Sequence, residues 1–274
     1  MIEWSVNPEI FSIGSFALGS ITLGPFAVRW YGLLFAMSFF VGFQIITWIF
    51  KIEKRSEKDL NDLVWYMIIG TVIGARLGHC LFYSPGYYLS NPLEILALWH
   101  GGLASHGAAI GILLVMYYYT KTRKGISYLW IFDRVVITVA LAAFFIRMGN
   151  LFNSEVYGKP TDGTWGFVFK FVDNVPRHPT QLYEALAYLA IFVFLLLYYK
   201  KNYKTLKEGT LFGYFLIGIF GFRIFVEYFK ENQEAFESSM PLNMGQLLSI
   251  PLVIFGVVLL YKAKYKVILK NKKP

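Results

Sequence analysis

Charge is scarce in this chain and cysteine almost missing. Only 16% of the 274 residues are charged, against roughly 25% in an ordinary soluble domain. So low a share points to a membrane protein and away from a soluble domain. Cys80 is the single cysteine, so an intramolecular disulfide and a cysteine-built metal cluster are excluded. A catalytic thiol is not excluded, but neighbouring His79 would point elsewhere on a helix, and Cys80 reads as a small buried packing residue. The first 28 residues hold no Lys or Arg, and no A-x-A-like cleavage site follows, so residues 1–26 are not read as a secretory signal. No internal repeat, low-complexity tract or linker divides the sequence. The expectation is one integral-membrane domain over residues 1–274.

What the chain has in abundance is apolar length. Hydrophobic residues make up 56% of it, and runs able to cross ~30 Å of hydrocarbon fall at 30–50, 63–83, 103–119, 129–147, 182–199, 211–229 and 245–261. The expected fold is therefore all-α, a polytopic bundle of seven transmembrane helices. Gly70, Gly74, Gly78, Gly101, Gly102, Gly107 and Gly111 interrupt the second and third runs, where glycine lets backbones or ligands come close. Seventeen Lys and Arg follow the odd-numbered runs, from Lys51 to Lys273, whereas the intervening loops carry only Lys159, Lys170, Arg177 and Lys230. This alternating bias places the N-terminus outside and the C-terminus in the cytoplasm. The formal charge of +9 is thus a topology signal facing anionic lipid, and nucleic acid is not an expected partner. Residues 1–28 are expected to lie along the outer interface. A small periplasmic element is expected at about 152–181, with a β-like run inside it between turn signals.

Polar groups at membrane depth mark the candidate site. Arg147, Asn150, Asn153 and Glu155, with Gly149 and Gly158, directly follow the uncharged run 135–146. An ionisable group there costs about 2.5–3.5 kcal/mol or more, so it is normally buried in protein and functional. Arg223 and Glu227, four apart, share a helical face and either form a buried ion pair or both point into a cavity. Arg147 and Arg223 could converge on one anion, since guanidinium forks suit bidentate binding of a phosphate. His106, beside Gly101, Gly102 and Gly107 and six residues after His100, carries an imidazole, the side chain best suited to act as a general base for a thiol, although a lone histidine is equally a packing residue. Gln181 and Glu184 open the fifth run on one face, after Arg177 and His178. Ordinary capping explains Glu184 as well as a site role does. Tyr31 opens the first run. Arg76 needs a partner at its depth, between Gly74 and Gly78. Drawn from five or six runs, these groups predict one polar cavity toward the outer leaflet, because spread around lipid they would be intolerable. A transporter is disfavoured by the lack of inverted repeats. An intramembrane protease is disfavoured because no serine–histidine dyad, aspartate pair or zinc motif appears.

The motif Arg147-x-Gly-Asn150-x-x-Asn153-x-Glu155-x-x-Gly158 resembles the signature of the bacterial phosphatidylglycerol–prolipoprotein diacylglyceryl transferases. Supporting motifs are Arg29-Trp-Tyr31-Gly, Gly74-Ala-Arg76-Leu-Gly, Gly101-Gly-Leu-Ala-Ser-His106-Gly, Arg177-His-Pro-Thr-Gln181-Leu-Tyr-Glu184, Phe222-Arg223-x-x-Val-Glu227 and Met244-Gly-Gln-Leu-Leu-Ser249. They cover residues 29–250 in family order. The chain departs from the family at two positions, with Ile146 and Ser154 where glycine is usual. The resemblance implies transfer of the diacylglyceryl group of phosphatidylglycerol to the lipobox cysteine of a preprolipoprotein signal peptide. A thioether forms and glycerol phosphate leaves, in the bacterial inner membrane, with no cofactor or metal required. Arg147 and Arg223 would hold the phosphate, Glu155 and Glu227 would orient them or the headgroup, and Asn150 and Asn153 would hydrogen-bond it. His106 would take the thiol proton, with Glu155 or Glu227 as alternatives. Tyr31, Arg76, Gly158, His178 and Gln181 would complete the substrate-binding set, and membrane lipid would enter sideways between helices.

Overall fold

The structure, a computed structural model, describes residues 1–18, 21–23, 26–97, 101–231, 237 and 239–270. His100, Lys272 and Lys273 lie outside them. The helices are α1 Trp30–Ile52, α2 Glu57–Phe82, α3 Pro85–Ser90, α4 Ser105–Lys121, α5 Tyr128–Phe152, α6 Thr180–Asn202, α7 Thr210–Val226 and α8 Met244–Lys270. Their ends follow local chemistry. Ser56 caps α2 by accepting from the Asp59 amide, with Glu57 and Asp59 in the first turn where the helix dipole favours them. Lys51, Lys121, Lys200 and Lys201 occupy last turns, the favourable end for a cation.

Among the described residues six stretches are long and apolar enough to cross a membrane: α1, α2, α5, α6, Thr210–Phe229 and Met244–Lys264. The expected run at 103–119 folds as α4, with 17 residues against the ~20 of a full span. Its start is delayed because Gly101 and Gly102 take φ of 78° and 73°, the left-handed region that holds a chain out of a helix.

The chain forms two compact units, Ile45–Ile131 and the combination of Met1–Gln44 with Phe132–Pro274. In the first, α2 and α4 touch backbone to backbone. A Cβ on Gly74 would stand 2.5 Å from the Gly107 carbonyl oxygen, and one on Gly78 would stand 2.6 Å from the Gly107 Cα. The interrupting glycines are therefore a small-residue seam on which two helices meet. Arg123 ties the other end of α4 to α2, reaching Asp59 at 3.1 Å as well as Asp62, with its guanidinium over the Tyr119 ring. Cys80 is buried.

The second unit carries short strands along with its helices. Two antiparallel ladders occupy the N-terminal segment: β2 Glu9–Ile13 with β5 Phe26–Arg29, and β3 Phe16–Leu18 with β4 Ile21–Leu23. β1 Ile2–Trp4 pairs parallel to β6 Phe167–Phe169, which pairs antiparallel to β7 Pro176–Arg177. Chain start and inserted element thus share one sheet, a non-local pairing that periodicity does not reveal. Among the spans α5 is the most buried, as expected of a helix apolar all round.

Asp133, completely buried in α5, caps a different helix. α7 begins after Gly209, which has no capping side chain of its own. The Asp133 carboxylate accepts the Gly209 amide at 2.7 Å and the Phe212 amide at 2.9 Å. Hydrogen bonds to a charged group contribute about 1.5–3 kcal/mol each. Asp133→Ala is therefore expected to lower stability by about 3 kcal/mol, measured as a fall in melting temperature in detergent, while Asp133→Asn, which keeps one acceptor, falls less.

Candidate active site

The site is built where α5 ends. Glu155 donates its amide to the Asn150 carbonyl and Ser154 donates to Leu151, each at 3.0 Å, with Ser154 at φ 53°. This is the helix-closing arrangement that wants glycine at its left-handed position. Val156 follows at φ 58°, a conformation in which a β-branched residue is strained. The start of α6 holds the strained turn in place: Gln181 Nε2 donates to the Glu155 carbonyl at 2.8 Å and Thr180 Oγ1 to that of Val156 at 3.1 Å.

This turn folds Glu155 back under the helix end. Its Oε1 accepts Asn150 Nδ2 at 2.8 Å and Asn153 Nδ2 at 3.4 Å, and Arg147 Nη1 donates to Asn150 Oδ1 at 3.1 Å. The other side of Arg147 meets Glu184, which has no solvent exposure. Arg147 Nε and Lys230 Nζ each stand 3.0 Å from Glu184 Oε2, and the Tyr188 hydroxyl donates to Oε1 at 2.9 Å. Lys230 Nζ also lies 3.2 Å from Glu227 Oε1, itself 3.4 Å from Arg223 Nε. Asn243 donates to Glu227 Oε2 at 3.0 Å. The result is one alternating chain, Arg147–Glu184–Lys230–Glu227–Arg223, with a cation at each end and an excess of one positive charge. Arg223 is the most open of the five, its side chain 35% exposed.

A cavity of 330 Å³ opens beside the turn, lined among others by Glu155, Val156, Tyr157, Val172, Lys230 and Glu231. Tyr31 packs on the helix end, since a Cβ on Gly149 would stand 2.7 Å from the Tyr31 ring. Outside the helices, Arg177 lies over the Tyr157 ring and pairs with Asp173 and Glu231. The Arg177 guanidinium holds the Asp173 carboxyl below the usual carboxylate range. Among the described residues, no cluster of three His, Cys, Asp or Glu is placed to hold a metal ion.

Arg147, Asn150, Asn153, Glu155, Gln181, Arg223 and Glu227 are thus brought together around this turn and the ion chain. Others in the expected set have different surroundings. Arg76, in the unit Ile45–Ile131, spends its five N–H donors on the carbonyls of Glu94, Ile95, Ala97, Gly101 and Gly102. It braces a loop and keeps no free donor for a substrate. His106, in the same unit, is exposed on the first turn of α4 with its ring against Phe82 and Tyr83. The ring of His178 sits among Trp165, Tyr183 and Phe229, and burial holds its pKa below the ordinary histidine value. Gly158 is a crossing point, where a Cβ would stand 2.5 Å from the Phe229 carbonyl oxygen. Lys230, Tyr188 and Asn243 were missed by sequence reasoning. Lys230 was counted as a loop charge, although its spacing three residues after Glu227 was the signal that could have found it.

A sequence profile described as prolipoprotein diacylglyceryl transferase matches residues 19–262. The chain belongs to the prolipoprotein diacylglyceryl transferase family. Proteins named phosphatidylglycerol–prolipoprotein diacylglyceryl transferase are similar to it along nearly their whole length. That of Chloroherpeton thalassium is 48% identical over 96% of this chain and 94% of its own. That of Tolumonas auensis is 46% identical over 97% and 99%. A third, from Bacteroides fragilis, is 42% identical over 95% and 94%.

Within this transferase family the two departures now have physical readings. Ile146 lies in regular α5 helix, a conformation that isoleucine adopts without strain. Ser154 takes the left-handed position itself, and its buried hydroxyl has no hydrogen-bond partner. Ser154→Gly is expected to raise stability by up to about 1 kcal/mol. Gly158→Ala, which forces apart two main-chain segments, is expected to cost at least about 2 kcal/mol. Parallel melting curves of the two variants check both.

Proposed function

We propose that this chain transfers the diacylglyceryl group of phosphatidylglycerol to the lipobox cysteine thiol of prolipoprotein signal peptides, as the names of its relatives describe for the lipid and the prolipoprotein. The observation that carries this reading is the alternating ion chain ending in Arg147 and Arg223. Its excess positive charge would be neutralised by one phosphodiester, and donors preset at developing charge are the largest catalytic term available to a rigid site. In the proposed step the thiolate sulfur attacks the glyceryl carbon. An S–C bond forms as the C–O bond to phosphate breaks, and the electron pair leaves on the oxygen of glycerol phosphate.

Arg147 and Arg223 would take that phosphate. Asn150, Asn153 and Glu155 would hydrogen-bond the glycerol headgroup next to the 330 Å³ cavity, which is within the usual range for small ligands. Glu184 and Glu227 would orient the arginines, Tyr31 would close over the helix end, and Gln181 would support Glu155 through its carbonyl. Gly158 and His178 would shape the wall. For the thiol proton the candidates are His106, Glu155 and Glu227. Both oxygens of Glu227 are already engaged, which disfavours it. No part of this scheme needs a metal or cofactor.

The proposed setting is the bacterial inner membrane, with α4 as a seventh crossing. The N-terminus and residues 152–181 would lie outside, the C-terminus in the cytoplasm, and the site would face the outer leaflet. The Lys clusters at the ends of α1, α4, α6 and α8 support that orientation. Cysteines placed at Thr164 and Lys204 test it, since native Cys80 is buried. A reagent confined to the outer face should label Thr164→Cys and spare Lys204→Cys, and the reverse pattern would sink the arrangement.

Activity is read by mass spectrometry of a lipobox peptide incubated with phosphatidylglycerol and purified protein. Wild type should add one diacylglyceryl group to the cysteine. Arg147→Ala should lose about 10²–10³ in rate yet remain folded, because Glu184 keeps Lys230 and Tyr188 as partners. Turnover near wild type in Arg147→Ala would remove Arg147 from the site.

A further inference from the structure

We infer that Lys230 is a positioning residue for the transfer, holding the two arginine-bearing carboxylates at a fixed separation without touching substrate. The inference rests on the reading of Arg147 and Arg223 as the phosphate ligands. Arg147 leans on Glu184 in α6, and Arg223 leans on Glu227 at the end of α7. These carboxylates stand on different elements, and Lys230 Nζ touches both, at 3.0 and 3.2 Å. Each lies within one ion-pair distance of the same ammonium. Without that cation they would be close like charges in a poorly polarisable interior, each free to draw its arginine away.

The placement of Lys230 suits a spacer and not a ligand. Its side chain is 2% exposed although the residue lines the cavity beside the turn, and its ammonium is already held by two carboxylates. Its main chain is held on both sides. The Lys230 amide donates to the Glu227 carbonyl, the Lys159 amide donates to that of Phe229, and Gly158 forms a β-bridge with Lys230. The crossing at Gly158 therefore sets where the ammonium sits. The main chain after α7 is thereby coupled to the distance between two guanidinium groups. A fully buried lysine would be expected only where its charge is matched, and here two carboxylates match it.

The test compares wild type with Lys230→Met, Lys230→Gln and Lys230→Arg in one detergent, measuring melting temperature and kcat and KM for phosphatidylglycerol per folded molecule. Lys230→Met keeps the length of the side chain and removes its charge. It should lose about 10- to 100-fold in kcat/KM, the scale of a small misplacement of binding groups, with both kcat and KM affected. Lys230→Arg should recover most of that loss, because a guanidinium can still bridge both carboxylates. If Lys230→Met does not fold, Lys230→Gln is read for the same loss. Variants that melt lower but turn over with wild-type kcat and KM would overturn the inference. So would an arginine variant as impaired as the methionine one, or failure of all three to fold, since Lys230 would then be structural only. Wild type that adds no diacylglyceryl group would instead sink the functional reading on which the inference rests.

Discussion

The chain of charges that ends in Arg147 and Arg223 depends on one completely buried carboxylate, that of Glu184. A carboxylate removed from water among apolar helices is tolerable only when matched by cations and hydrogen bonds. Glu184 has Arg147 and Lys230 at one oxygen and the Tyr188 hydroxyl at the other. Because those partners come from α5, from the segment after α7 and from α6 itself, none of these elements can shift without exposing a charge to hydrocarbon. The requirement that joins the helices also leaves Arg147 and Arg223 at the two ends of the chain of charges, each with only part of its guanidinium engaged.

Backbone strain accompanies this electrostatic order. Ser154 and Val156 both sit at positive φ within three residues, next to the carboxylate of Glu155. Such conformations persist only where surroundings over-determine them, and they gather at functional sites. Here the surroundings are the two side-chain donors at the start of α6. Glycine would take the position of Ser154 without this strain, and serine leaves the hydrogen bonds of the turn intact.

The smaller unit obeys a different economy. In lipid, helices gain nothing by hiding apolar surface from one another, so close backbone contact and saturated polar groups must hold them together. The glycine seam between α2 and α4 supplies the first. Arg76 supplies the second, donating to five main-chain carbonyls, those of Glu94, Ile95, Ala97, Gly101 and Gly102. An arginine at such depth is costly unless satisfied, and main-chain carbonyls satisfy it as well as an anionic ligand would.

Composition and periodicity alone determined that this chain lives in a membrane and where its long helices run, because twenty-residue apolar stretches admit few other solutions. They also picked out Arg147, Asn150, Glu155, Arg223 and Glu227, since polar groups at membrane depth are conspicuous against an apolar background. The same cost argument could not say what satisfies each charge. Arg76 and Arg147 looked alike in the sequence, yet one meets five carbonyls and the other a buried carboxylate. Glu184 was indistinguishable from a helix cap, and Lys230 from a loop cation, because burial is a property of neighbours far away in the chain. The pairing of residues 2–4 with 167–169 was hidden for the same reason. Local spacing records which residues share a face of one helix, and only the tertiary structure decides which faces meet.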